Sequence, residues 1–240
     1  MTVVIGAKCA EGCAIISDLR VLREFEADNE SKINKLWEKV VSVGAGNTAV
    51  LDSFSAELAE SELPSAPDFT TAIKTIEDIA HRLQERYRPR IAECYEFEAL
   101  VMGLKNFDKG DPYLRRVYSQ GISEEIKDFA IIGHGAPYTA TFFKLLYDRM
   151  LSVKELAILG YFAISLTVFL GLDQTVGFTK LGPEMVVLKS DEEPQFLNPL
   201  SHDFDVPRSS LDDLKFRYKL IKSIWSKIPQ AFENMDPKLF

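Results

Sequence analysis

Residues 2–20 read Thr2-Val3-Val4-Ile5-Gly6-Ala7-Lys8-Cys9-Ala10-Glu11-Gly12-Cys13-Ala14-Ile15-Ile16-Ser17-Asp18-Leu19-Arg20. Two apolar runs, 2–7 and 13–18, flank a short polar break that ends at Gly12, so a β-hairpin is expected here. What sets this hairpin apart is the residue at its head. Removal of Met1 would put a hydroxyl and a free α-amine on Thr2. A threonine hydroxyl attacks poorly unless a base takes its proton, and an α-amine titrating at about 7.7–8.0 can be that base. The apolar strand behind Thr2 would hold such a nucleophile in a fixed place.

The rest of the composition narrows the class. The chain has 240 residues, of which 46% are hydrophobic, enough for a substantial core, and 27% are charged, which excludes a disordered chain. A net charge of -8 with no Lys/Arg block argues against a nucleic-acid partner. The three cysteines cannot all pair with one another. Met1 leads straight into a strand-like run rather than a signal peptide, so a reducing cytoplasm is the expected compartment. Cys9 and Cys13 form a C-x-x-x-C pair without further ligands, which reads as structural core rather than a metal site, and Cys94 reads as buried or idle. No metal and no cofactor is expected. Leu156–Leu172 is almost wholly apolar but falls short of the roughly 20 residues a membrane span needs. It follows Ser152-Val153-Lys154-Glu155, a capping-box pattern. A helix buried on nearly all sides is expected, either deep in a layered domain or against another subunit.

Along the chain, strands are expected at 2–7, 13–18, 32–36 and 39–43, the last closed by Gly44-Ala45-Gly46. The polar stretch 22–31 is a loop or hairpin tip. Helices are expected from Asn47 through Leu58 and from about Phe69 to Tyr87, where Pro89 stops the second. Strands follow at 98–104, 113–119 and 130–132, then the turn Gly133-His134-Gly135-Ala136-Pro137, helices at about 139–150 and 156–172, and a last strand at 184–188. Residues 191–207 read as an irregular connection and 209–229 as an amphipathic helix. Strands and helices come in blocks, not in βαβ alternation, so the fold class is α+β. Two antiparallel sheets packed face to face, with a helix layer on each outer side, fit this order. The expected domains are 1–190 and a C-terminal extension, 191–240, carrying the extra helix.

Four positions in or beside these runs could carry chemistry. Asp18 ends an apolar run, Lys32 heads a strand, Gly46 closes one, and Asp173 follows the apolar helix. Each has an ordinary reading: a strand-end carboxylate, a surface lysine, a turn glycine, a loop residue. Together with Thr2 they make a chemically complete set. Thr2 is a nucleophile with its own amine base, and Lys32 can lower the hydroxyl pKa. Asp18 can position that lysine, the Gly46 N–H can hold an oxyanion, and Asp173 can orient the threonine and its amine.

The spacing of this set resembles the proteasome β-subunit branch of the N-terminal nucleophile hydrolases. Those enzymes begin with Thr in a TxxxGI-type strand, matched here by Thr2-Val3-Val4-Ile5-Gly6-Ala7. They place an acidic residue sixteen positions after the Thr and an Arg two positions later, matched by Asp18 and Arg20. Their lysine lies fourteen residues before the oxyanion glycine of an AG pair, matched by Lys32 and Ala45-Gly46. The family's Gly-Ser-Gly-Ser turn corresponds to Gly133-His134-Gly135-Ala136, and its Asp-x-x-Ser-Gly loop to Asp173-Gln174-Thr175-Val176-Gly177. The resemblance covers residues 2–190. It implies catalytic roles for Thr2, Asp18, Lys32, Gly46 and Asp173, with Arg20, His134 and Gly177 in support.

Three departures stand out. Family serines that hydrogen-bond the N-terminal amine and its water are His134 and Val176 here, and the second serine of the glycine turn is Ala136. With Met1 before Thr2, maturation is expected to rely on a methionine aminopeptidase in place of propeptide removal. The resemblance implies a threonine peptidase that cleaves peptide bonds through an acyl-enzyme on Thr2, acting on peptides or proteins as a homo-oligomer or with related subunits. The same acyl-enzyme could instead serve transpeptidation. A catalytically silent proteasome-like subunit, or an amidase with a narrow pocket, is also compatible with these residues.

Overall fold

The structure, a computed structural model, describes residues 2–23, 26–29, 31–37, 40–61, 66–88, 96–106, 109–177 and 183–197. Cys94 and the helix expected at 209–229 lie outside the described residues. Contacts divide the chain into two compact units, Met1–Ser201 and His202–Phe240, and the described residues all belong to the first.

The N-terminal hairpin forms as expected. Strand β1 (Val4–Lys8) pairs antiparallel with β2 (Gly12–Ser17). The polar stretch that follows is itself a small two-stranded hairpin, β3 (Arg20–Arg23) with β4 (Glu26–Asn29). Strands β5 (Ile33–Trp37) and β6 (Val40–Gly46) lead into helices α1 (Thr48–Glu60) and α2 (Phe69–Tyr87). Both helices are capped from the side chain: Asn47 accepts from the Val50 N–H and Asp68 from the Thr71 N–H. Strands β7 (Phe97–Asn106), β8 (Lys109–Tyr118), β9 (Ser123–Glu125) and β10 (Phe129–Ile132) come next, then helices α3 (Ala136–Leu146) and α4 (Val153–Phe169), and strands β11 (Glu184–Lys189) and β12 (Gln195–Leu197).

Among the described residues two five-stranded sheets result, ordered β10-β1-β2-β11-β12 and β5-β6-β7-β8-β9. Every strand pair in them is antiparallel. The period-two alternation of strand side chains separates three apolar layers. Val4 and Ile15 from one sheet meet Val43, Leu100, Met102 and Leu114 from the other in the core between the sheets, where Cys13 is also buried. The alternate residues of the second sheet, Ala99 and Val101, face α1 and α2 and pack on Phe54, Phe69, Ile76 and Leu83. On the far side α4 lies against β1, β2 and β11, and α3 against α4 and β10. The architecture is the four-layer αββα sandwich that the block order of elements predicts.

Some details differ from expectation. Helix α3 starts at Ala136, with Pro137 in its first turn, where a missing N–H costs nothing. Helix α4 starts at Val153 because the Ser152–Glu155 capping box is fully formed, and it stops at Phe169 because Gly171 turns left-handed at φ +63. The strand content is larger than expected: β9 and β12 are three residues each, and β12 adds to the first sheet beyond residue 190 by pairing with β11. Among the described residues no helix is long and apolar enough to cross a membrane.

Candidate active site

The hairpin register builds the first half of the site. Val4 pairs with Ser17, so the next residue on each strand, Val3 and Asp18, must also lie side by side. The Asp18 N–H donates to the Val3 carbonyl at 3.1 Å, and the Val3 N–H donates back to Asp18 Oδ1 at 3.1 Å. Thr2, one residue further out, is thereby held over the Asp18 carboxylate. Both are buried, Thr2 at 4% exposure and Asp18 at 0%.

The second half comes from the other sheet. Lys32 immediately precedes β5, and its backbone N–H donates to Glu184 Oε2 at 2.9 Å, with the Ile33 N–H at 3.4 Å from the same oxygen. Glu184 opens β11, so its carboxylate ties the head of β5 to the first sheet. From there the Lys32 side chain reaches Thr2. Its Nζ donates to Thr2 Oγ1 at 2.5 Å and to Asp18 Oδ1 at 2.6 Å. Thr2 Oγ1 in turn donates to Asp18 Oδ1. Asp18 Oδ2 accepts from the Gly177 N–H at 3.1 Å. Nucleophile, lysine and carboxylate thus form a closed triangle.

Burial pushes the Lys32 ammonium below the ordinary lysine range. The charge and hydrogen bond of Asp18, and the charge of Glu184, oppose that shift without cancelling it. A lysine in this position lowers the energy of an alkoxide on Thr2 by direct charge contact.

Gly46 lies across from the triangle. Together with Thr2 and Lys32 it lines a cavity of about 270 Å³ whose other walls include Ser42, Gly44, Leu51, Asp52 and Phe54. Its φ of +145 is one that L side chains rarely adopt, and a Cβ there would stand 2.6 Å from the Glu96 carbonyl oxygen. Only glycine lets the end of β6 bend this close to β7 and open its backbone to the cavity. Ala45 and Ala49 are not among the residues lining this cavity. A second cavity, about 740 Å³, also reaches Thr2 and Gly46 and extends along β7, β8 and the 133–137 turn.

That turn wraps the backbone of Thr2. The Gly135 N–H donates to the Thr2 carbonyl at 3.3 Å. Gly133 has φ +94, and a Cβ on it would lie 2.2 Å from the same carbonyl oxygen. Asp173 stands behind the turn, 6% exposed. Its Oδ1 accepts from the Thr175 N–H at 2.8 Å and the Thr175 hydroxyl at 2.6 Å, and its Oδ2 contacts His134 Nδ1 at 2.9 Å. Burial alone would raise its pKa, but the bonds from Thr175 and His134 outweigh it and hold the carboxyl below the usual range. Among the described residues its side-chain hydrogen bonds are made with His134 and Thr175. Arg20 supports the same loop: its Nη1 donates to the Gln174 carbonyl at 2.6 Å, and its backbone N–H to the Gly177 carbonyl at 2.9 Å. Val176 is buried at 1% exposure and fills the space against Gly135.

Thr2, Asp18 and Lys32 are in mutual contact, Gly46 shares a cavity with Thr2 and Lys32, and Arg20, Gly177, Asp173 and His134 form the loop assembly behind them. Glu184 is the participant that sequence reasoning missed. Its only signal there is an acidic residue at the head of the apolar run EMVVL.

With this geometry in place, comparisons with known proteins become informative. No curated protein matches the sequence. Among solved structures, the Gly-1 mutant of Anbu from Hyphomicrobium sp. strain MC1 superposes with a TM-score of 0.72 at 16% identity, covering 98% of both chains. Anbu from Yersinia bercovieri, described as an ancestral beta-subunit, gives 0.70 at 13% identity with the same coverage. At such identities the likeness speaks for the fold. The model of the proteasome subunit family matches residues 2–172, well over half of the sequence and all of the hairpin, Lys32 and the glycine turn. The chain belongs to the proteasome subunit family.

Proposed function

We propose that the protein is a threonine peptidase that cleaves peptide bonds through an acyl-enzyme on Thr2 once Met1 is removed. The observation that carries this reading is the contact of Thr2 Oγ1 with both Lys32 Nζ and Asp18 Oδ1 in a buried setting. Lys32 favours the alkoxide, and Asp18 holds Lys32 and the hydroxyl in register. The Thr2 amine takes the hydroxyl proton as Oγ1 bonds to the substrate carbonyl carbon. Negative charge then gathers on the carbonyl oxygen, and the role assigned to the Gly46 N–H is to receive it. The amine returns its proton to the departing peptide amine, and water later cleaves the ester. The cavity of about 270 Å³ beside Thr2 is of a size to receive one substrate side chain.

Family membership supports the further reading that the subunit works in an oligomer. The free thiols of Cys9 and Cys13 fit a reducing compartment, and the proposed setting is the cytoplasm.

The test is intact-mass spectrometry before and after incubation with a peptide epoxyketone, a reagent that closes a ring only with a hydroxyl and an amine on one residue. The expected result is a chain lacking Met1 that gains one reagent mass, and a Thr2→Ala chain that gains none. Complete retention of Met1 with no labelling would end the peptidase reading.

A further inference from the structure

The smaller cavity beside Thr2 has a polar side that the triangle of Thr2, Lys32 and Asp18 does not use. Strand alternation places it. Val41 and Val43 of β6 point into the core between the sheets, so Ser42 points the other way, toward α1. Ile33 of β5 joins that same core, so Asn34 shares the α1 side. On α1, Thr48, Leu51, Asp52 and Ser55 follow the i, i+3, i+4, i+7 pattern, which lays them along one stripe of the helix over these strands.

Ser42 and Asp52 are left without partners in this stripe. Ser42 is 3% exposed and lines the cavity, and among the described residues its hydroxyl makes no hydrogen bond. A hydroxyl so far from bulk water is costly to leave unmatched. Asp52 is exposed on the same cavity and has neither an ion pair nor a hydrogen bond among the described residues. It does not serve the helix end, because Asn47 caps α1 and the first turn holds no acidic residue. Asn34 Nδ2 donates to Ser55 Oγ at 3.2 Å, which leaves the Asn34 carbonyl oxygen as an acceptor. The other charged group on the cavity is Lys32, and its Nζ is committed to Asp18 at 2.6 Å. The unbalanced charge is therefore the Asp52 carboxylate. Beside it stand neutral acceptors and the apolar walls of Leu51 and Phe54.

We propose that this cavity takes a basic side chain, arginine or lysine, from the substrate residue whose carbonyl Thr2 attacks, and that Asp52 is the residue that selects it. This rests on the threonine-peptidase reading and names a substrate class for it. Thr2 and Gly46 both line the cavity, so a carbonyl held between the Thr2 hydroxyl and the Gly46 N–H has its own residue's side chain directed into that space. The methylene stem of a basic side chain lies on Leu51 and Phe54, and its charged head meets Asp52. Ser42 and Asn34 accept from the N–H groups that Asp52 leaves over, and a guanidinium has five to offer. A glutamate side chain would bring like charge to Asp52 and find Lys32 already paired. A leucine would cover the apolar walls and leave Ser42 and Asp52 unmatched.

The experiment compares labelling rates with peptide epoxyketones identical except for the side chain beside the reactive ketone: arginine, leucine or glutamate. Rates are read by intact mass on wild type, Asp52→Asn, Asp52→Lys and Ser42→Ala, all with Met1 removed. Wild type should label with the arginine reagent about tenfold faster than with leucine and about a hundredfold faster than with glutamate, the scale of one charge-assisted hydrogen bond gained and one like-charge contact avoided. Asp52→Asn should bring the arginine-to-leucine ratio close to unity, and Ser42→Ala should lower it about threefold, as expected for one neutral acceptor. Asp52→Lys should put the glutamate reagent ahead of the arginine one. Because each ratio is taken within one protein, a loss of folded chain cancels from it. A leucine reagent as fast as arginine on wild type, or a ratio that Asp52→Asn leaves unchanged, overturns the basic pocket and leaves the peptidase reading standing. A wild-type chain with a free Thr2 amine that none of the reagents labels overturns both.

Discussion

Asp18 is the residue with most of the site hung on it, since it accepts from the Thr2 hydroxyl, Lys32 Nζ, the Val3 N–H and the Gly177 N–H at once. That crowding decides what removal of its cationic partner should do. Breaking a buried ion pair usually costs about 3–5 kcal/mol, because a charge is left without compensation. In Lys32→Ala the Asp18 carboxylate still keeps three donors, so the loss should sit at the low end, about 3 kcal/mol. Labelling of Thr2 should fall much further, by about 10²–10³-fold, the size seen when a group that stabilises developing charge is deleted. Denaturant melts and labelling rates on the one variant separate the two effects, and labelling within a few-fold of wild type would make Lys32 a structural charge only. Lys32 also fixes the alkaline behaviour. Its folded pKa is lowered, chiefly by burial, so the unfolded chain binds the proton more tightly. Between the folded pKa and the ordinary lysine value of about 10.4, stability should therefore rise with pH while the alkoxide loses its cation and labelling falls. Opposite slopes of melting temperature and labelling rate over that window are the expected signature, and parallel slopes would exclude it. Thr2, Asp18 and Lys32 are legible from spacing because their alignment depends only on hairpin register and strand start. Glu184 is not, because it acts on the Lys32 backbone N–H from 152 residues away.

Elements that carry their own end signals are the ones readable from sequence. Helix α4 is an example: Ser152 and Glu155 cap it, Gly171 ends it, and both features are local. Strands β9 (Ser-Glu-Glu) and β12 (Gln-Phe-Leu) have neither length nor alternation, and they exist only because β8 and β11 offer free edges, as in the pairings Arg115 with Glu125 and Val186 with Phe196. What α4 hides is how tightly it sits on the sheet. Gly160 faces Ile16 of β2, and a Cβ at that position would lie 2.6 Å from Ile16 Cδ1 and 2.7 Å from Cγ1. Gly160→Val should push the helix off the sheet. Overpacking of this kind costs about 1–3 kcal/mol, offset by a few tenths from better helix propensity. A melting temperature lower by roughly 2–8 °C is expected for a chain of this size. Because Ile16 lies on β2 two residues before Asp18, which directly follows that strand, slower labelling of Thr2 should accompany it. An unchanged melting temperature would mean that Ile16 swings aside freely.

At the scale of the whole molecule, the block order of strands and helices is enough to predict the αββα layers, because antiparallel sheets with segregated helices have few other ways to bury both faces of each sheet. The order of elements says less about which outer layer meets another molecule. The layer of α3 and α4 leaves Tyr138 43% and Leu145 61% exposed, with Leu170 at 46% and Leu172 at 38% just past the end of α4. Ile158, Phe162 and Val168 on α4 itself are only partly covered. Single exposed apolar residues are ordinary on any protein, whereas a set of them on one layer marks a surface that another protein covers. Under the proposed oligomeric reading, a further copy of this chain is the occupant to test. Light scattering at micromolar concentration should therefore give a mass that is a multiple of 27.1 kDa. Charges placed at Leu145 and Leu170 together, as Leu145→Glu and Leu170→Glu, should reduce that mass while the fold, read by its melting temperature, stays within about 1 kcal/mol of wild type, since both side chains are already largely in water. A wild-type mass equal to one chain would show that this apolar layer binds no second copy. An oligomer that survives both substitutions would move the interface to another face of the sandwich.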